Sequence, residues 1–169
     1  SGCSHPGRGM PTGSFERGMA EYEGGRYLDA IETLRLFIRR NPTDPRVDVA
    51  QYHLGLSRFE NEDYAVAAVE FEILRNDYPN SELVEDAWMM EGKAYVEQVP
   101  SIHHEQAVTR RALDHFRRYL REFPSGERRE EGLQQASELQ LHLDRKRMAS
   151  IELYERLGRT RAALVSVEA

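Results

Sequence analysis

The stretch Ala107-Val-Thr-Arg-Arg-Ala112-Leu-Asp-His-Phe116-Arg-Arg-Tyr-Leu-Arg-Glu-Phe-Pro124 has a small residue twelve positions, and a bulky residue eight positions, before its final proline. In a helix, a small residue lets a neighbouring helix approach, and a bulky residue one turn later fills the space between the two. The prolines of this pattern are 37 and 45 residues apart, and each closes a helical segment because proline cannot continue a helix. The pattern therefore predicts an internal helical repeat. Its upstream copies are Ala30 and Leu34 before Pro42, and Ala67 and Phe71 before Pro79.

A glycine upstream of each alanine extends the repeat. Gly18 and Gly55 precede their alanines by twelve residues, whereas Gly92 precedes Ala112 by twenty. The excess of eight equals the difference between the two proline spacings, so a single insertion in the third unit explains both. We expect this insertion, residues 97–106, to form a loop, because it contains a helix-breaking proline. The predicted helix pairs are 14–24 with 26–40, 45–61 with 63–78, and 82–98 with 105–123.

The third unit carries most of a known repeat signature, in Trp88, Gly92, Tyr95, Ala112, Phe116 and Pro124. In these residues the chain resembles the tetratricopeptide repeat, in which antiparallel helix pairs stack into a solenoid. The resemblance implies an all-α fold with three full repeats and a truncated fourth. We expect a flexible leader at 1–13 and a repeat domain at 14–169, divided at about 14–42, 45–79, 82–124 and 126–169. The last repeat lacks its closing proline, so we expect the chain to be part of a longer protein.

Composition and the absence of known motifs narrow the possible functions of the protein. The 169 residues carry a formal net charge of −6, which argues against nucleic acid as the main partner. No run approaches the roughly 20 apolar residues of a membrane span, and a single cysteine cannot form an internal disulfide. Motifs for phosphate binding, zinc proteolysis and serine catalysis are absent from the sequence, so we expect no enzymatic activity and no cofactor. For His103, His104 and Glu105 a hydrated loop is favoured over a metal site, which would need a further ligand.

The first residues, Ser1-Gly2-Cys3-Ser4, resemble the end of a bacterial lipoprotein signal, in which a small residue precedes the cysteine that is cleaved and acylated. We therefore predict that Cys3 is lipidated. Serine rather than aspartate after the cysteine favours the outer membrane. The alternative is an incidental cysteine behind a vector-derived Ser-Gly.

Arginines cluster towards the C-terminal half, at Arg117, Arg118, Arg121, Arg128 and Arg129. Such runs are most often a solvated helix face paired with glutamates, and glutamates close enough for this pairing are present. The sharper hypothesis is a docking patch for an acidic partner domain.

Taken together, the tether behind Cys3, the widened third unit and the long helical pattern that opens the fourth resemble the BamD family. These are tetratricopeptide lipoproteins of the outer-membrane β-barrel assembly machinery. The resemblance covers nearly all of residues 14–169. It implies a non-enzymatic scaffold, lipid-anchored in the outer membrane and facing the periplasm. The implied partners are the periplasmic domain of the central barrel subunit, other assembly lipoproteins, and the C-terminal peptides of unfolded barrel proteins.

In tetratricopeptide solenoids the first helix of each pair lines the concave face, where ligands bind. The repeat register predicts that the side chains lining this face follow an i, i+4, i+7 stripe in each unit. The aromatic side chains of the stripe would expose a larger apolar patch than a monomer usually does, which indicates a binding site. A lysine near the stripe could pair with the terminal carboxylate of a bound peptide. For Leu56 and Val96, packing of repeat against repeat is an equal alternative. The predicted peptide-binding residues are Phe15, Met19, Tyr22, Tyr52, Leu56, Phe59, Met89, Lys93 and Val96.

Two other functions remain open from the sequence. One is a tetratricopeptide adaptor unrelated to barrel assembly, either a periplasmic cell-wall coordinator or a cytosolic binder. The other is an enzyme whose active residues lie outside this sequence.

Overall fold

The structure is a computed structural model that describes residues 9–99 and 106–156. The described residues form seven α-helices and no strand: α1 (Phe15–Glu23), α2 (Tyr27–Arg40), α3 (Val47–Glu60), α4 (Tyr64–Asp77), α5 (Val84–Glu97), α6 (Gln106–Glu122) and α7 (Arg129–Arg156). The helices of the three predicted pairs begin and end within two residues of their expected bounds. Helices adjacent in the chain pack against one another from α1 to α5, and α6 packs against α7, which confirms the predicted all-α, tetratricopeptide-like fold.

The chain divides into two compact units. Residues 1–98 carry α1–α5, and residues 99–169 carry α6 and α7. The boundary lies in the predicted insertion, and α5 ends at Glu97 before α6 begins at Gln106. No helix therefore continues from one unit into the other. The conformation predicted for the insertion falls mainly on residues outside the described part.

The three proline junctions are built by the same backbone hydrogen bonds. At the first, the Asn41 N–H donates to the Phe37 carbonyl, the Asp44 N–H to the Asn41 carbonyl, and the Val47 N–H to the Asp44 carbonyl. Shifting these pairs by 37 residues gives the bonds of the second junction, and a further shift of 45 residues gives those of the third, so the sequence period is also a structural period. Those bonds run from Tyr78 to Leu74, Ser81 to Tyr78, Val84 to Ser81, Phe123 to Tyr119, Gly126 to Phe123 and Arg129 to Gly126.

In the first two helix pairs, the repeated spacing of glycine and bulky residue corresponds to close helix packing. A Cβ added to Gly18 would lie 2.5 Å from Leu34 Cδ2, and one added to Gly55 would lie 2.7 Å from Phe71 Cε1. Both distances are far below van der Waals contact. A side chain at either position would force the bulky residue to shift, because the first helix of the pair lies directly on the bulky side chain of the second. The alanines of the pattern, Ala30, Ala67 and Ala112, are fully buried.

In the first unit, α3 occupies the centre of a layer of first helices. It packs on α2 and α4, and it also lies against both α1 and α5. The helices α1, α3 and α5 thus form one contiguous surface, which is the surface that the repeat resemblance assigns to ligands. Below it lies a core of the buried side chains Ala30, Ile31, Leu34, Phe37, Val47, Ala50 and Leu54.

Three glutamates of the described residues, Glu21, Glu70 and Glu91, are buried between the helices and are held by hydrogen bonds, Glu70 by one from Gln51 Nε2. Glu21 accepts hydrogen bonds from Arg17 Nε at 2.8 Å and from Thr33 Oγ1 at 2.6 Å. Glu91 accepts one from Arg75 Nε at 2.6 Å. A buried carboxylate needs such partners because its desolvation costs several kcal/mol.

The tight turns inside the first two helix pairs use the left-handed backbone conformation. Gly25 has φ of 71°, and Glu62, which is 37 residues later and occupies the same repeat position, has φ of 63°. Glycine adopts this conformation without a steric penalty, whereas a residue with a Cβ is strained in it. The second turn is therefore less stable than the first in its backbone geometry.

In the second unit, α6 packs along α7, and a Cβ added to Gly132 would lie 2.6 Å from Tyr119 Cε1. The 28-residue α7 is the longest helix in the described part of the chain. Neither α7 nor any other described helix is both long and apolar enough to cross a membrane. Several large apolar side chains on α7 are exposed: Leu133, Leu141, Met148 and Leu153.

Candidate peptide-binding surface

The predicted peptide-binding residues lie on α1, α3 and α5, as the repeat register requires. The prediction is wrong for Met89, which has no accessible surface. Met89 is a core residue that a peptide cannot contact. The others are partly buried, with part of each side chain open to solvent: Phe15, Met19, Tyr22, Tyr52, Leu56, Phe59, Lys93 and Val96. We call these eight residues and His53 the inner surface.

The centre of the inner surface is a cluster of aromatic rings that joins α1 to α3. The ring of His53 lies between Tyr22 and Tyr52, with centroid distances of 5.1 and 5.8 Å and interplanar angles of 82° and 86°. Both are edge-to-face arrangements, which aromatic pairs prefer over face-to-face stacking. Tyr52 continues the contact inward to the buried ring of Phe71 at 5.7 Å. The cluster is therefore anchored in the core at one end and accessible at the other.

The remaining predicted aromatic residues pack in separate pairs. Phe15 contacts Phe37 with a centroid distance of 5.6 Å, and the guanidinium of Arg46 lies 4.9 Å from the Phe15 ring centre. Phe59 contacts Tyr64 at 5.2 Å. Ring contacts thus join Tyr22 to Tyr52 through His53, whereas Phe15 and Phe59 pack against other rings.

Sequence analysis did not identify His53. It follows Tyr52 directly and so falls just outside the i, i+4, i+7 stripe that was used to select residues. Comparison between repeats gave no signal either, because the equivalent positions are occupied by Glu16 and Met90. Only the contact between α1 and α3 shows that this residue lies in the middle of the aromatic cluster.

The charges around the inner surface are unevenly distributed. Burial raises the pKa of the Tyr22 hydroxyl, and the nearby carboxylate of Glu60 raises it further. The pKa of Tyr64 is also raised, first by desolvation and then by Glu97. The carboxylates of Glu60 and Glu97, at the C-terminal ends of α3 and α5, therefore lie close to these two tyrosines. The cation predicted for carboxylate binding, Lys93, is partly buried on α5.

The predicted arginine docking patch is only partly exposed. Arg117, Arg118 and Arg121 are exposed on α6, while Arg128 and Arg129 at the start of α7 are partly buried. Arg117 donates a hydrogen bond to Gln140 Oε1 at 2.9 Å, and Arg128 forms an ion pair with Glu131 at 2.8 Å. Polar and acidic neighbours within the same unit thus already bind part of the arginine patch. This agrees with the alternative interpretation, in which the arginines form a solvated helix face paired with glutamates.

Cys3, His103, His104 and Glu105 lie outside the described residues. Among the residues that the structure does describe, there is no group of three or more His, Cys, Asp or Glu side chains that could hold a metal ion.

Comparison with known proteins assigns the chain to a family. None of the curated proteins matches the sequence significantly. The model of the YfiO family, described as outer membrane lipoprotein, matches residues 9–168. This range includes both helical units and all residues of the inner surface. Because the match covers most of the chain, the protein belongs to the YfiO family of outer membrane lipoproteins.

Proposed function

We propose that this protein is a non-enzymatic scaffold and substrate receptor of the outer-membrane β-barrel assembly complex. The family match over residues 9–168 is the observation that carries the proposal, and the resemblance to the BamD family supplies the specific complex. In this role the protein is anchored by a lipid on Cys3 and faces the periplasm.

The inner surface is the proposed receptor for unfolded barrel proteins, which present an aromatic C-terminal segment. Partly exposed aromatic rings are suited to such a ligand, because they offer large contact areas that lose little conformational freedom on binding. The charges favour one orientation. A terminal carboxylate would be repelled by Glu60 near Tyr22 and attracted by Lys93, so the ligand's C-terminus points towards α5.

The exposed arginines of α6 are the proposed contact for an acidic surface on the periplasmic domain of the central barrel subunit. Arg117, Arg118 and Arg121 provide the accessible charge, and Arg128 and Arg129 extend the patch onto α7. An exposed patch of charge mainly accelerates association with a partner of opposite charge and selects between partners. Its effect decreases as the salt concentration rises.

The proposal is tested by isolating the full-length protein from native membranes and identifying the proteins that copurify. Recovery of the central barrel subunit supports the proposal. Recovery of a cell-wall assembly complex instead, in membranes that contain the barrel machinery, would favour the unrelated adaptor. A variant with Arg117, Arg118 and Arg121 replaced by Gln should recover less barrel subunit at low salt, and its difference from the wild type should shrink at high salt, where the charges are screened.

Lipidation is tested separately by mass spectrometry of the N-terminal peptide from membrane-derived protein. We expect an acylated Cys3, and the Cys3→Ser variant should appear in the soluble fraction. An unmodified cysteine in membrane-derived material would contradict the proposed anchor.

A further inference from the structure

The imidazole of His53 is the polar group at the centre of the aromatic cluster. It is partly buried on α3, and its ring edge lies against Tyr22 on one side and Tyr52 on the other. The two tyrosine rings restrict the plane of the imidazole.

One of these nitrogens is committed to the helix. His53 Nδ1 lies 2.9 Å from the Val49 carbonyl oxygen, one turn earlier in α3. A carbonyl oxygen can only accept a hydrogen bond, so Nδ1 carries the proton. In the neutral ring, Nε2 is then an acceptor with a free lone pair.

The other nitrogen is available to a ligand. No group in residues 9–99 or 106–156 forms a hydrogen bond with His53 Nε2, and this atom is not among the buried side-chain atoms that lack a partner. It therefore keeps some solvent-accessible surface. An acceptor placed between aromatic surfaces is suited to a ligand that has a donor flanked by apolar groups.

We propose that His53 is the hydrogen-bonding anchor of the inner surface, and that Nε2 accepts a main-chain N–H of the bound peptide while Tyr22 and Tyr52 contact the side chains around it. This inference rests on the proposed peptide-receptor function and adds to it a residue that determines how the peptide is held. An extended peptide has the required donor at every residue except proline. His53 thereby recognises the backbone, and the tyrosines favour aromatic neighbours.

A neutral acceptor also agrees with the charges at this site. The carboxylate of Glu60 lies close enough to Tyr22 to raise its pKa, so a ligand carboxylate at this end of the surface would be repelled. An amide N–H carries no charge and is not subject to this repulsion. The terminal carboxylate belongs near Lys93 instead, and His53 then binds an amide further from the C-terminus.

The test measures binding of a short synthetic peptide to the full chain by fluorescence anisotropy. The peptide carries a fluorophore at its N-terminus, alternating polar and aromatic residues, and a C-terminal phenylalanine with a free carboxylate. A series of peptides with one N-methylated amide each removes the donors one at a time. The protein variants are His53→Phe, which keeps the ring but removes Nε2, and His53→Gln, which restores an acceptor. His142→Phe on α7 is the matched control.

We expect His53→Phe to weaken binding about five- to tenfold, as for the loss of one hydrogen bond at a partly buried site. His53→Gln should recover most of the affinity, and His142→Phe should bind like the wild type. For one of the N-methylated peptides, the affinity for the wild type should be about as low as the affinity of the unmodified peptide for the His53→Phe variant. The two changes should not add, because they remove the same interaction. Helicity by circular dichroism should be the same in all variants.

The outcomes distinguish this inference from the proposed function. If Tyr52→Ala weakens binding but His53→Phe does not, the anchor is refuted and the receptor remains. Additive effects of His53→Phe and every N-methylated amide would also refute the anchor. If the wild type does not bind the peptide at all, both proposals fail.

Discussion

Replacing Gly55 by alanine tests whether the glycine of the repeat is required by packing. An added Cβ would lie 2.7, 2.9 and 3.0 Å from three ring atoms of Phe71, which has no exposed surface. These atoms would have to move by several tenths of an ångström in a close-packed interior. Overpacking of this kind costs about 1–3 kcal/mol, while alanine favours the helix over glycine by about 1 kcal/mol.

We therefore expect the Gly55→Ala variant to lose up to about 2 kcal/mol of unfolding free energy, although alanine is the better helix former. Urea denaturation followed by circular dichroism measures this loss. The Phe71 ring also supports Tyr52, so peptide binding at the inner surface should weaken as well. Gly18→Ala, at the same position of the first repeat and against Leu34, should be destabilising for the same reason.

A double variant identifies the cause of the destabilisation. Phe71→Leu leaves a smaller side chain opposite Gly55, so it should relieve the overlap that alanine creates. The cost of Gly55→Ala in the Phe71→Leu background should then be smaller than in the wild type by about 1 kcal/mol. A stabilised Gly55→Ala variant, or strict additivity in the double variant, would refute the assignment of this glycine to close helix contact.

Three further substitutions test backbone strain, a buried ion pair and a surface pKa. Glu62→Gly should raise the unfolding free energy by about 1 kcal/mol, because the left-handed φ of 63° strains any residue with a Cβ; unchanged or lower stability in urea denaturation would contradict this. Arg75→Met should cost about 3–5 kcal/mol by leaving the buried Glu91 carboxylate without its cation, and the second change Glu91→Gln should recover part of that loss. Equal stabilities of these single and double variants would count against the ion pair. Hydrogen bonds from Arg46 lower the pKa of Asp44 from 3.8 to about 2. The ionised Asp44 carboxylate therefore stabilises the fold above about pH 4, and this contribution is lost as the pH falls towards 2. The stability difference between wild type and Asp44→Asn should accordingly narrow over that range, and NMR titration of the carboxyl group gives the pKa directly.

The all-α repeat fold was predictable because its signals are local in the chain. Proline ends a helix wherever it falls, and a small residue followed one turn later by a bulky residue marks a packed helix face. The offset between Gly92 and Ala112 even located the insertion, because a solenoid repeats the same contacts at a constant spacing. Each of these signals either lies within one helix pair or recurs from pair to pair at a fixed spacing, so a pattern of spacings was sufficient.

The details of the inner surface depended on contacts between pairs. The stripe rule selected Met89, but the packing of α5 buries it completely. It also passed over His53, which becomes central only because α1 brings Tyr22 against its ring. These contacts join residues far apart in sequence, and a helical period determines which side of a helix faces inward but not how close the next helix lies.

The buried carboxylates illustrate the same limit. A glutamate on an amphipathic helix is ordinarily solvent-exposed, so the sequence by itself offers no reason to place Glu21 or Glu91 inside. The tertiary structure brings Thr33 to the first, beside Arg17 of the same helix, and Arg75 to the second, and those donors make burial tolerable. The sequence alone determined the helices, their order and their repeat, because these follow from local sterics and periodicity. Only the tertiary structure decided which polar side chains are enclosed and which aromatic rings meet, because both depend on partners supplied by another helix.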